Sequence, residues 1–284
     1  MGTSTRNRGQ TGHNPLVPTW LESDPVPVRP EQVETPAQPM PNTSQQLIEP
    51  IQPIPPDADP NRFRGPRTSF THFTSGGGLD CSPMRRGISH YVSRSLGGSS
   101  NATKRLGSSR MSTARLYGVL RTLTGSNGLR EVAKLLSIEN LEGLQAAEFF
   151  IKVAQFVCPD GGPEDEGISR SAYFDTVADN PDLLNKPIEN LTQEEIDSVL
   201  QRFMSKVVMQ QIMNGIANNV IRFSKTLEEI AHIEAAVEQL IEQSVADAFA
   251  QVHRDDTELT NEKAKEITDR VYMTTFEILE RTGD

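Results

Sequence analysis

An all-α protein with a disordered, proline-rich N-terminal arm is the fold class this sequence predicts, and three observations lead there. Apolar residues recur at three- and four-residue spacing through most of residues 84–284, which marks one face of a helix. No stretch alternates with period two for long. Thirteen of the nineteen prolines lie within residues 1–60, where fixed φ angles and missing N–H donors work against a folded domain. At 284 residues, with 36% hydrophobic and 6% aromatic positions, the chain can bury a modest core but cannot order its whole length.

The arm, residues 1–60, carries three arginines against seven acids, net −4. Its one sharp feature is Asn14-Pro15-Leu16-Val17-Pro18-Thr19-Trp20-Leu21, which sets the only tryptophan and three aliphatics around two prolines. Prolines favour extended backbone and so lower the entropy lost on docking, and Trp20 has the size of a pocket-filling anchor. Residues 25–60 repeat proline every few positions and read as an extended, semi-rigid spacer.

Residues 61–130 are basic: eleven Arg and Lys104 against Asp80 alone, net +11. Arg62, Arg64 and Arg67 alternate with Phe63, Phe70 and Phe73, and Gly76-Gly77-Gly78 follows as a flexible joint. Ile88, Tyr91, Val92 and Ser95 then sit at helical spacing, giving a short helix over Met84–Arg94 with a basic flank, broken at Gly97-Gly98. A second helix is expected from about Ser100 to Leu123, where Ala102, Leu106, Ser109, Thr113, Leu116, Leu120 and Leu123 share a face. Gly107, Ala114 and Gly118 offer small positions for close helix approach.

Residues 131–284 hold thirteen bases and thirty acids, net −17, and read as an acidic helical domain. Leu144, Ala147, Ile151 and Ala154 mark one helix, ended by Pro159 and a loop from Asp160 to Gly167. Short pieces follow at Ser169–Val177 and Asp182–Leu184. Thr192 with Glu195, and Thr226 with Glu229, are capping-box patterns opening helices that carry Ile196, Val199, Leu200, Phe203 and Val207, then Ile230, Val237, Leu240, Ile241, Phe249 and Val252. A last helix after Thr260 bears Ile267, Val271, Ile278 and Leu279.

Several chemistries find no residues to carry them. Cys81 and Cys158 form no CxxC pair and join no histidine cluster, so neither a disulfide framework nor a metal site is expected. Asp160, Glu164, Asp165 and Glu166 lack the spacing of a calcium loop. His232 and His253 are too far apart on one helix to share a metal. There is no GxSxG elbow and no phosphate loop, so the expectation is a non-enzyme without cofactor. No apolar run approaches the roughly 20 residues of a membrane span, the N-terminus lacks a signal-peptide centre, and Arg6 spoils a myristoylation motif. The chain is expected to be cytoplasmic.

The basic segment allows a nucleic-acid reading, in which Arg62, Arg64, Arg67, Arg105 and Arg110 neutralise phosphates while phenylalanines stack on bases. Against it, the same segment has the apolar spacing of packed helices, and an acidic domain in the chain can satisfy its arginines.

A family resemblance favours another reading. Met1-Gly2-Thr3-Ser4, Pro15-Leu16-Val17-Pro18-x-Trp20, the proline-rich stretch, Arg62-Phe63, Arg85-Arg86-Gly87-Ile88-Ser89-His90-Tyr91-Val92, Leu96-Gly97-Gly98-Ser99 and Leu116-Tyr117-Gly118 occur in an order that resembles the QatB family of the bacterial Qat anti-phage defence system. The likeness covers about the first 125 residues; Thr19 stands where a second proline is expected, and residues 131–284 offer no residue-level match. The resemblance implies an adaptor acting beside an ATPase, a QueC-like (QatC-like) enzyme and a TatD-like nuclease. It also implies that the QueC-like partner joins a deazapurine group to the amine of Gly2 after Met1 is removed. The partner-binding residues would be Thr3, Ser4, Pro15, Leu16, Val17, Pro18 and Trp20 in the arm, and Arg85, Arg86, His90, Tyr91 and Arg94 in the basic segment. An α-amine with a pKa near 8 is partly neutral and nucleophilic at cell pH.

Overall fold

The structure, a computed structural model, describes residues 61–138, 141–159, 164–217, 226–255 and 263–283. Every expectation placed on the arm, residues 1–60, lies outside them. The described residues are mostly helical, with no strand among them; an isolated antiparallel bridge joins Gln145 to Pro187. The protein is therefore all-α.

The first helix is one that the sequence pattern had not revealed. α1 (Arg64–Ser75) buries Pro66, Phe70 and Phe73, so the phenylalanines set between arginines belong to the core. Nor is the glycine triplet a flexible joint. Gly77 donates to the Thr74 carbonyl and Gly78 to that of Phe73, closing the helix end with φ angles of 69° and 80° that side chains rarely adopt. Gly78 is also packed: a Cβ there would stand 2.9 Å from the His232 ring.

α2 (Ser82–His90) carries Pro83 in its first turn, and the Asp80 carboxylate accepts from the Ser82 N–H at 2.9 Å. It widens into a π-helical turn over Tyr91–Ser95, in which the Leu96 N–H reaches the Tyr91 carbonyl, and stops at Gly97-Gly98. Ile88, Tyr91, Val92 and Ser95 all point inward, as their spacing predicts.

The expected single helix from Ser100 to Leu123 is two: α3 (Ser99–Lys104) and α4 (Ser109–Leu123). Gly107, at φ 53°, turns the chain between them and donates to the Lys104 carbonyl. The apolar spacing hides this break, because Ala102 and Leu106 on one side and Thr113, Leu116 and Leu120 on the other are all buried in the same core.

α5 (Gly128–Leu136) was also unforeseen; it ends at Ser137, the single non-glycine residue with positive φ among those described. α6 (Ala146–Val157) stops before Pro159 as expected but turns a different face inward. Ala146, Phe149, Phe150, Val153 and Val157 are buried with Ala154, whereas Ile151 is 66% exposed. α7 (Glu164–Ala178) starts inside the segment read as a loop. α8 (Pro181–Leu184) and a 3-10 turn at Ile188–Asn190 lead to α9 (Gln193–Ile212).

Thr192 and Glu195 form the expected capping box, and a second π-helical turn, Met213–Ala217, follows. α10 (Leu227–Asp255) opens with the Thr226–Glu229 pair, whose reciprocal bonds measure 3.0 and 3.2 Å. α11 (Ala264–Arg281) completes the described fold and buries Ile267, Val271, Tyr272, Phe276 and Leu279.

α11 is the central packing element: α2, α3, α4 and α10 all pack on it, while α9 packs on α4, α7 and α10. A continuous apolar core thus runs from Phe70 to Leu279 and joins the basic segment to the acidic helices. Several buried hydroxyls inside it are paired, as low-dielectric surroundings favour, whereas those of Ser108 and Thr268 are buried without a hydrogen-bond partner among the described residues. Tyr272 and Thr113 lie 2.7 Å apart, Ser169 donates to Ser109 at 2.8 Å, and Tyr173 donates to the Phe150 carbonyl at 2.7 Å.

Candidate partner-binding surface

α2 carries the basic residues in question, and its register sorts them. Met84, Gly87, Ile88 and Ser89 face the core, which leaves Arg85 and Arg86 exposed, His90 half-buried and, one turn on, Arg94 exposed. Arg86, His90 and Arg94 follow one another at four-residue spacing and so share a stripe. The His90 pKa is lowered, first by burial and then by the charges of Arg94 and Arg86. Among the described residues, Arg64, Arg85, Arg86 and Arg94 form no ion pair. Unpaired cations at this density are a surface suited to an acidic partner.

Tyr91 departs from that set. It is 2% exposed, and its hydroxyl donates to the Gln211 carbonyl at 3.2 Å. Burial pushes its pKa up to about 12, against the opposing effects of Arg105, the Gln211 bond and Arg67. Gly215, in the second π turn, packs against the ring so closely that a Cβ would come within 2.2 Å of the Tyr91 oxygen. Tyr91 thus faces α9 and supports the surface from beneath instead of presenting itself to a partner.

The five arginines of the nucleic-acid reading do not form one face. Arg62 and Arg67 place guanidinium groups 4.9 and 5.3 Å from the Phe63 ring centre, and the Ser95 hydroxyl donates to the Arg62 carbonyl at 2.7 Å. Arg64 is exposed on the first turn of α1. Arg105 and Arg67 both act on the Tyr91 hydroxyl, which places them around the same end of α2. Arg110 lies apart, forking onto Asp269 with Nε 2.6 Å from one carboxylate oxygen. The stacking half of that reading also fails, because Phe70 and Phe73 are buried and Phe63 already meets two guanidiniums.

Part of the basic segment is neutralised by acids of residues 131–284: Arg110 by Asp269 on α11, Arg121 by Asp197 on α9 at 3.5 Å, and Arg130 by Glu142 in the turn before α6 at 3.4 Å. Sequence reasoning could not name these acids. It also missed the seating of the chain's end on α2, where Ser89 donates to the Glu280 carbonyl at 2.6 Å across 191 positions and a Cβ on Gly283 would stand 2.6 Å from that of Ser89. No local pattern signals a contact over such a separation. Gly2, Thr3, Ser4, Pro15, Leu16, Val17, Pro18 and Trp20 lie outside the described residues.

Comparison with known proteins adds the deciding observation. The model of the family described as Qat anti-phage system associated protein QatB matches residues 97–279. The chain belongs to the QatB family. The matched span overlaps the end of the stretch that carries the resemblance, taking in α3 and α4, and runs on through residues 131–279, which had offered no residue-level likeness. The motif order and the family match thus point to one family. No curated protein and no solved structure matches the chain. Membership in this family places the protein in an anti-phage system. Among the described residues, no helix is long and apolar enough to cross a membrane, and no three His, Cys, Asp or Glu side chains gather as metal ligands do.

Proposed function

We propose that this protein is a non-enzymatic adaptor of the Qat system that acts in the cytoplasm, binding a QueC-like enzyme and serving as its protein substrate at Gly2. Removal of Met1 frees an α-amine with no Cβ beside it. That amine forms a bond to an activated carboxyl carbon of a deazapurine held by the partner; the activating group leaves with its electron pair and the nitrogen loses a proton. Thr3, Ser4, Pro15, Leu16, Val17, Pro18 and Trp20 hold the arm in the partner's active-site cleft. Arg85, Arg86, His90 and Arg94 hold the helical body against an acidic surface of the same enzyme. The ATPase and the TatD-like nuclease act with this pair.

The observation that carries the reading is the unpaired cationic stripe of α2 in a protein of net charge −10, set in a chain of the QatB family. Co-expression with the QueC-like partner, followed by capture at low and high salt, tests the binding half. Charge reversal of Arg85, Arg86 and Arg94 together is expected to weaken capture by about tenfold or more. Capture unchanged by that variant and insensitive to salt would remove the surface from the account. A nucleic-acid role predicts instead a steep salt dependence of DNA or RNA binding, abolished by alanine at Arg85, Arg86, Arg105 and Arg110.

A further inference from the structure

A second surface lies away from the α2 stripe. Gly107 turns the chain between α3 and α4, and these two helices meet α11 around an open groove of about 480 Å³. Its wall includes the Arg110–Asp269 fork, whose side chains are 17% and 27% exposed. The two charges satisfy each other, so this pair acts as a neutral, rigid part of the lining. Met273, 41% exposed, offers a polarizable apolar seat that adapts to varied side chains. Lys104 on α3 and Lys265 on α11 flank the groove, both exposed, and neither forms an ion pair among the described residues. Glu266 is the one other carboxylate in the lining, and Arg270 adds a cation held by contacts of its own.

The geometry points to this groove as a docking site for a linear acidic segment of a partner protein, with one apolar side chain on Met273 and a carboxylate reaching each of Lys104 and Lys265. Charge selects the occupant. The two lysines form no ion pair among the described residues, and the other charges of the lining, Arg110 and Arg270 against Glu266 and Asp269, sum to zero, so the groove carries a net positive charge that attracts an acidic peptide. A nucleic-acid backbone fits less well, because it has no apolar side chain to place on Met273. This site does not rest on modification of Gly2.

The test uses the full-length chain and each of the other proteins encoded in the system, purified singly, in calorimetric titrations. Lys104→Glu with Lys265→Glu is expected to weaken binding of one of them by about tenfold or more, while Lys104→Arg with Lys265→Arg restores it. Met273→Ala is expected to weaken the same partner at low and at high salt alike, since an apolar contact is not screened. The charge-reversed α2 variant is expected to keep that partner if it is not the modifying enzyme, and Gly2 modification is expected to survive in the lysine variant. A lysine variant that binds every neighbour as the parent does, or an arginine variant that fails to restore a lost one, would overturn the proposal.

Discussion

His90 stands four residues from both Arg86 and Arg94, and their charges, after burial, lower its pKa. The folded imidazole therefore binds its proton less readily than the unfolded one. Its contribution to stability is complete above the unfolded histidine range, near about 6.5, and is lost as pH falls through that range toward the folded pKa. Arg94→Ala is expected to raise the His90 pKa, read by NMR titration of the ring; an unchanged titration would contradict the shared stripe. Gly215 offers a steric counterpart. Adding a methyl there forces the Tyr91 ring, which is pinned between Phe63 and the end of α9, to move. Gly215→Ala is expected to cost about 1–3 kcal/mol, measured by urea unfolding.

At the scale of elements, what the sequence disclosed depended on whether the signal was local. The Thr192–Glu195 box, the inward face of α2 and the stop at Gly97-Gly98 are written within a few neighbouring residues, and all three stand in the fold. The split between α3 and α4 was not readable, because apolar spacing records which side is buried and is blind to one residue at φ 53°. Gly107→Ala, which would favour the continuous helix but strain the turn, is expected to destabilise the protein by about 1 kcal/mol or more; stabilisation would mean the turn is not needed. Ile151 misled for a related reason: one stripe of α6 fits the spacing rule, yet the two adjacent phenylalanines bury more area and set the rotation of the helix. For the candidate surface, Arg85, Arg86 and Arg94 were legible as exposed charge, whereas the inward turn of Tyr91 and the pairing of Arg110 with Asp269 depend on distant helices.

In the whole molecule, α11 ties the two differently charged parts of the chain together. Phe276 is fully buried on a helix that touches α2, α3, α4 and α10. Phe276→Ala is expected to cost about 3–5 kcal/mol and to lower the denaturation midpoint of the whole helical body in one transition. Separate transitions for residues 61–130 and 131–284 would show that the shared core does not couple them. Such coupling suits an adaptor, because a partner held on α2 and another on the α3–α11 groove would each be fixed to the same rigid frame.

The central claim is that the chain is itself the substrate, and the intact mass of its first peptide after co-expression with an active QueC-like partner tests it most directly. The account predicts loss of Met1 and a single mass addition on Gly2, absent when Gly2→Pro replaces the primary amine. A peptide that loses Met1 and gains nothing, while the partner demonstrably turns over its deazapurine, would contradict it.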